Sequence, residues 1–369
     1  VKFRRILWRW AKIVLFRCDA ERIHRWMVRS IELIHRKNSL ESPRGDAFLR
    51  WASGTPAGSS PPHEVFGIPF ASQVGLAAGF DKDAEIVSAL PALGFGFAEI
   101  GTVTPRPQPG NEKPRLFRDP ARLSLFNRMG FNGAGAEAVS RRLHSARARL
   151  AADSGARDFR IGLNIGKNKD TALEHAADDY AKAAASFSAP GLIDYLVINV
   201  SSPNTAGLRS LQTTEALRPI VNAVNEVLAG WQKRPPLLLK LAPELQGDEL
   251  TPMIAEIERW GIDGWVLTNT LAGNFSDFGS FREPAHQAKT LSGGWSGQIL
   301  TELARARLIE ARAATRLPII SVGGIMNADE AALRIRLGAD LVQIYSGWVF
   351  GGPTFPSELR LKIIKNSGI

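Results

Sequence analysis

Eight short apolar runs, at 74–78, 97–100, 161–165, 195–200, 237–241, 265–267, 318–322 and 341–344, alternate with longer amphipathic segments through most of this chain. Continuously apolar runs of that length suit strands covered on both faces. The segments 136–150, 171–187, 215–228, 249–260, 300–315 and 328–337 have the length and spacing of helices that cross back between parallel strands. Eight such units predict an α/β fold closed as a (β/α)8 TIM barrel rather than an open sheet. With 369 residues, 44% of them hydrophobic, the chain can fill such a core, and its single cysteine, Cys18, excludes a disulfide scaffold.

Charge divides the chain differently. The net charge is +10, and residues 1–37 alone carry +8, from eleven Lys and Arg against Asp19, Glu21 and Glu32. A nucleic-acid-binding body would spread its basic residues, so nucleic acid is not expected as a partner. In the basic end, Phe3, Ile6, Leu7, Trp10, Ile13, Val14 and Phe16 recur at helical spacing, and Ile23, Trp26, Met27, Ile31 and Ile34 repeat the pattern after a short break. Two amphipathic helices follow. Either they lie on a membrane surface, with Trp8, Trp10 and Trp26 at the interface, or they pack on the main domain. No run approaches the ~20 apolar residues of a membrane span. The expected division is a helical extension at 1–40, a linker at 41–65 marked by Gly, Ser and Pro around 52–62, and a catalytic barrel at 66–369.

Barrel enzymes place their chemistry on the loops at the C-terminal ends of the strands. Here those ends read Gly79-Phe80-Asp81-Lys82, Gly101-Thr102, Asn164 with Gly166-Lys167, Asn199 with Ser201-Ser202-Pro203-Asn204, Lys240, Thr268-Asn269-Thr270, Gly323-Gly324 and Tyr345-Ser346-Gly347. Gly and Asn serve turns in any protein, but eight coincident cases outweigh that reading. The last two occupy the place where barrels bind phosphate through backbone N–H groups. Asn164, Asn199, Asn269 and Thr268 with Lys82 and Lys240 describe a neutral-to-cationic pocket for an anionic, amide-bearing ring. Paired-carboxylate hydrolysis has no support, because Asp81 and Asp83 flank Lys82. The six histidines show no metal-ligand spacing, and no metal is expected. Ser201-Ser202-Pro203-Asn204-Thr205 is a turn or a proton-transfer site. A serine hydroxyl is a poor base unless partners orient it.

Five dispersed motifs carry a resemblance. Leu76-Ala77-Ala78-Gly79-Phe80-Asp81-Lys82-Asp83, Glu99-Ile100-Gly101-Thr102-Val103-Thr104-Pro105, Asn127-Arg128-Met129-Gly130-Phe131-Asn132, Ile198-Asn199-Val200-Ser201-Ser202-Pro203-Asn204-Thr205 and Val342-Gln343-Ile344-Tyr345-Ser346-Gly347 together resemble the class 2, quinone-dependent dihydroorotate dehydrogenases. The resemblance implies oxidation of dihydroorotate to orotate in pyrimidine synthesis, with FMN as cofactor and a membrane quinone, ubiquinone or menaquinone, as acceptor. By the same likeness Ser202 is the base that takes the C5 proton while the C6 hydride goes to the flavin. Lys82, Asn127, Arg128, Met129, Gly130, Phe131, Asn199, Asn204, Asn269 and Thr270 match the substrate set. Ala78, Gly79, Phe80, Asp81, Lys82, Thr102, Asn164, Asn199, Lys240, Thr268, Gly297, Gly324, Tyr345 and Ser346 match the FMN set. His24, Arg118 and Tyr345 match polar positions beside the quinone.

Class 1 relatives use a cysteine base, but position 202 is serine and Cys18 lies in the basic arm. Class 2 relatives carry a two-helix extension that lies on the membrane, in accord with the +8 segment. The implied location is peripheral, on the cytoplasmic face of a bacterial inner membrane, with the mitochondrial inner membrane as the alternative. Departures from the pattern are Ser72-Gln73 for Asn-Pro, Ala206 for Pro and Trp295 for Leu. Two other readings stand beside this one: an FMN barrel that uses fumarate or nicotinamide, and a basic surface-binding module.

Overall fold

The structure, a computed structural model, describes residues 2–36, 44–55, 62–205, 207–277 and 291–366. Fourteen strands are present among them. In chain order they are β1 (His63–Val65), β2 (Ile68–Phe70), β3 (Val74–Leu76), β4 (Phe97–Val103), β5 (Leu116–Asp119), β6 (Ser124–Asn127), β7 (Arg160–Ile165) and β8 (Tyr195–Asn199), followed by β9 (Leu237–Leu241), β10 (Gly264–Leu267), β11 (Leu271–Asn274), β12 (Ser292–Gly297), β13 (Ile319–Val322) and β14 (Leu341–Ile344). Eight of them, in the order β10-β13-β14-β3-β4-β7-β8-β9, close into a parallel barrel, and these are the eight apolar runs. The expected TIM barrel is therefore present.

Its strands read as unbroken apolar runs because both faces are covered. Inside, Phe97, Tyr195, Val197, Leu238, Val266, Ile320 and Leu341 pack together, and the antiparallel β1–β2 hairpin brings Val65 and Phe70 against this layer. Outside, the strands meet helices α4 (Ala136–Ala152), α5 (Ala176–Ala185), α6 (Thr214–Ala229), α7 (Gly247–Ile257), α8 (Thr301–Ala314), α9 (Ala328–Arg336), α10 (Ser346–Gly351) and α11 (Phe355–Asn366). The two expected helices of the basic arm are α1 (Lys2–Leu15) and α2 (Ala20–Arg36).

The stretch 41–65 carries secondary structure of its own. It contains a helix, α3 (Arg44–Ser53), and the strand β1, so it is not a plain linker. Asp46 of α3 meets His35 of α2 (2.7 Å), and Leu49 is buried in the main core. The positions 37–43 and 56–61, and Ala206, lie outside the described residues.

The arm joins the body by specific contacts. Trp8 Nε1 donates to the Phe350 carbonyl (3.2 Å), and Arg5 pairs with Glu358. Val28 and Ile31 of α2 enter the main core. Glu21 accepts two bonds from Arg115 (2.9 and 3.0 Å), both side chains being buried, so the charges are compensated where water is excluded. On the other side Phe3, Ile6, Leu7, Trp10, Ile13 and Val14 stay exposed, as do Trp26 and Leu33. Thus the arm packs on the barrel and also presents an apolar stripe. No helix among the described residues is long and apolar enough to cross a membrane.

A second sheet, antiparallel in the order β11-β12-β6-β5, covers part of the barrel mouth. Phe117, Phe126, Phe275 and Trp295 form its core, with Trp295 opposite Phe126 in the register. The size of Trp295 has a structural reason: its indole fills this small core at zero exposure and donates to the Asn274 carbonyl (3.1 Å). Trp295→Ala is expected to cost ~3–5 kcal/mol, since it empties a site that cannot easily collapse. Urea unfolding followed by circular dichroism measures this, and an unchanged midpoint contradicts it.

Candidate active site

The strand ends and the second sheet enclose one cavity, about 1080 Å³ including its open mouth. Its wall contains Ala78, Gly79, Lys82, Thr102, Asn127, Met129, Gly130, Phe131, Asn199, Ser202, Asn204, Lys240, Thr268, Asn269, Thr270, Gly297, Gly324, Tyr345 and Ser346. Residues far apart in the sequence, from Ala77 to Gly347, thus line one cavity. Of the expected substrate and cofactor sets, four do not reach the wall: Phe80, Asp81, Arg128 and Asn164.

Each of these four has a visible task. The Asp81 carboxylate accepts the backbone N–H groups of Glu85 (2.7 Å) and Ile86 (3.0 Å), which pins the loop that presents Lys82. Burial pushes the Asp81 pKa up to about 7, against those two bonds. Phe80 lends its carbonyl to His24 and packs its ring on Tyr345 and Trp348. Arg128 anchors its turn through its backbone, donating to the Arg115 carbonyl (2.8 Å). Asn164, fully buried, accepts from Thr102 Oγ1 (2.6 Å) and Asn199 Nδ2 (3.0 Å).

Lys82 Nζ donates to Asn132 Oδ1 (2.5 Å). Burial pushes its pKa down to about 7, and the Arg115 charge adds to the shift. The Ser202 hydroxyl oxygen accepts the Asn204 N–H (3.2 Å), while Asn204 Nδ2 donates to Asn127 Oδ1 (2.7 Å). Asn127 in turn donates to the Gly294 carbonyl (3.2 Å), so the second sheet holds the serine loop against the barrel. At the far end Gly323 and Gly324 turn with φ of +105° and +71°. That backbone is open to glycine, and the buried Arg334 guanidinium donates to the Gly323 carbonyl (3.1 Å) behind it. Ser346 and Ser296 hydroxyls meet at 2.8 Å beside this turn.

His24 of α2 lies against the same wall. Its Nε2 bonds to the Phe80 carbonyl (2.9 Å), and its ring stacks on Tyr345 with centroids 6.5 Å apart. Burial lowers its pKa to about 4, so it is neutral at pH 7 and donates that bond. The Arg118 guanidinium covers Phe16 (4.7 Å) and donates to the Leu15 and Cys18 carbonyls, closing the α1–α2 junction. Cys18 is exposed at that junction, away from the cavity.

Sequence reading missed several participants. Gln343 and Ser296 line the cavity, Asn132 holds Lys82, and Glu99 meets Asn164, Lys240 and Gln343 behind the wall. Glu99 and Gln343 did leave a signal, each being a polar residue inside an otherwise apolar strand. Among the described residues no cluster of His, Cys, Asp and Glu could hold a metal ion.

The cavity lies at the C-terminal ends of the barrel strands, where enzymes of this fold carry their active sites. The family model "Dihydroorotate dehydrogenase" matches residues 62–366, and the chain belongs to the dihydroorotate dehydrogenase family. A "Dihydroorotate dehydrogenase (quinone)" of Acidithiobacillus ferrooxidans is 46% identical over 94% of this chain and 91% of that protein. One of Thermobifida fusca is 44% identical over 94% and 89%. Among solved structures, the dihydroorotate dehydrogenase of Eimeria tenella in complex with ferulenol superposes with a TM-score of 0.76 at 33% identity, over 92% of this chain and 95% of that one.

Proposed function

We propose that this chain oxidises dihydroorotate to orotate with Ser202 as the base, FMN as the cofactor and a membrane quinone as the acceptor. The reaction belongs to pyrimidine biosynthesis, and the chain is a flavin-dependent oxidoreductase. The observation that carries the residue assignments is convergence: Lys82, Asn127, Asn199, Ser202, Asn204, Asn269 and Thr270 line one cavity with the glycine turn at its end.

The residues present fit a flavin. Among the described residues, Gln343 Oε1 and Asn204 Oδ1 are buried without a partner, and Lys240 Nζ donates to Glu99 (3.2 Å). Such groups need a polar ligand. Lys240, Thr102, Asn199 and Thr268 would hold the ring system, with Ala78 and Gly79 beneath it. Gly297, Gly324, Ser346 and the Tyr345 backbone would hold the phosphate. When bound, FMN supplies the electron-pair acceptor that links dihydroorotate to quinone.

On the substrate side, Lys82 pairs with the carboxylate, and the asparagine amides read the ring edges by presenting both donors and acceptors. Met129, Gly130 and Phe131 exclude water. Ser202 Oγ takes the C5 proton as its own hydroxyl proton is handed to a water molecule, and the Asn204 N–H, which already donates to that oxygen (3.2 Å), holds it in place.

The arm supports the quinone reading. α1 and α2 expose an apolar stripe amid basic residues, the chemistry of an anionic lipid surface. His24 and Tyr345 stand between that arm and the cavity. The location that goes with this reading is peripheral, on the cytoplasmic face of a bacterial inner membrane.

Orotate affinity tests the substrate assignment. Below about pH 7 the Lys82 ammonium is already formed; above it, binding an anion draws a proton onto Lys82. Affinity is therefore expected to fall with rising pH, by up to about tenfold per unit once Lys82 is neutral. A dissociation constant flat from about pH 6 to 9 contradicts Lys82 as the carboxylate partner.

A further inference from the structure

Glu99 sits inside the barrel at zero exposure and does not reach the cavity wall. Its carboxylate accepts three N–H donors: Asn164 Nδ2 at 2.7 Å and Lys240 Nζ at 3.2 Å on Oε1, and Gln343 Nε2 at 2.8 Å on Oε2. A carboxylate only accepts, so each amide that meets it must turn its NH2 end inward.

The consequence runs through the network. With Nδ2 on Glu99, Asn164 turns Oδ1 toward Asn199, whose Nδ2 donates to it (3.0 Å). Asn199 then presents Oδ1 on its other side, where it accepts from Ser201 Oγ (2.9 Å) and Asn269 Nδ2 (3.3 Å). Gln343 is fixed in the same way, and its Oε1 remains as an acceptor without a partner among the described residues. Gln343, Asn199 and Asn269 all line the cavity.

We propose that Glu99 is a positioning residue that sets the direction of the amides around the flavin, so the cavity offers a fixed pattern of donors and acceptors. This rests on the reading of the cavity as an FMN site. Without Glu99 each amide could turn round, and a reversed amide would place a donor where the ligand needs an acceptor.

The variant Glu99→Gln tests this with little change in shape. Its amide oxygen can still accept from Asn164 and Lys240, but its new NH2 group faces Gln343 and forces that amide to reverse. Adding Gln343→Glu repairs the pattern: the introduced amide donates to one oxygen of the new carboxylate, and the other oxygen again faces the cavity as an acceptor. Net charge is restored as well.

FMN affinity of the flavin-stripped full chain is read by quenching of FMN fluorescence. Failure of the unaltered protein to bind FMN defeats the FMN reading itself. Given that it binds, Glu99→Gln is expected to bind at least about tenfold more weakly, and the double variant to return to within about threefold. Unchanged affinity in the single variant overturns the proposal. So does a double variant no better than the single one, because an acid would then be needed at position 99 for its own sake. If the single variant does not fold, the double variant decides alone: folding with FMN bound upholds the swap, and loss of both overturns it.

Discussion

Ser202→Ala is expected to keep its flavin and lose turnover by about 10²–10⁴-fold, the usual contribution of a positioned base. The hydroxyl is buried to 5% exposure, lines the cavity and makes its protein contact through Oγ to the Asn204 N–H. Removing it deletes a proton acceptor while sparing the groups proposed to grip the substrate, so kcat falls and the dissociation constant of orotate changes little. The step to measure is anaerobic bleaching of the flavin by dihydroorotate in a stopped-flow instrument. A bleaching rate within a factor of about three of the unaltered protein would falsify Ser202 as the base, because a lost base affects that step first.

Removal of residues 1–37 separates the two half-reactions. The exposed Phe3, Ile6, Leu7, Trp10, Ile13 and Val14 are worth ~1.5–3 kcal/mol each when fully buried, so even partial insertion gives several kcal/mol of membrane binding. Their loss is expected to abolish sedimentation with anionic vesicles and to lower quinone turnover there by about a hundredfold or more. Flavin bleaching by dihydroorotate is expected to persist, since the cavity wall contains no residue of the arm. Equal loss of both half-reactions contradicts a separate quinone arm. Retained vesicle binding contradicts the apolar stripe as the membrane contact.

The barrel was legible because parallel strands covered on both faces leave continuous apolar runs, and all eight did so. The second sheet was not. Strand β11 is half-exposed, β12 begins Ser292-Gly293-Gly294, and their stability comes from Phe117, Phe126, Phe275 and Trp295, which are far apart in sequence. The helix α3 was hidden by its short, polar sequence and its place next to a Gly- and Pro-rich stretch; packing of Leu49 and the Asp46–His35 contact hold it. In the site, residues at strand ends could be picked out because polar side chains interrupt an apolar pattern there. Glu99 and Gln343 lie within the strands, and their importance depends on which partners the closed barrel brings to them. Arg118 is a further case: the resemblance matched it to a polar position beside the quinone, and its contacts with Phe16, Leu15 and Cys18 depend on how α1 and α2 dock.

One anaerobic experiment tests the central claim most directly. Dihydroorotate is added to the purified protein, the flavin absorbance is followed, and a short-chain quinone, fumarate or NAD is then offered in parallel. The expected result is bleaching by dihydroorotate and rapid recovery with quinone alone. A protein without flavin, a flavin that dihydroorotate does not reduce, or recovery driven by fumarate or NAD would contradict it.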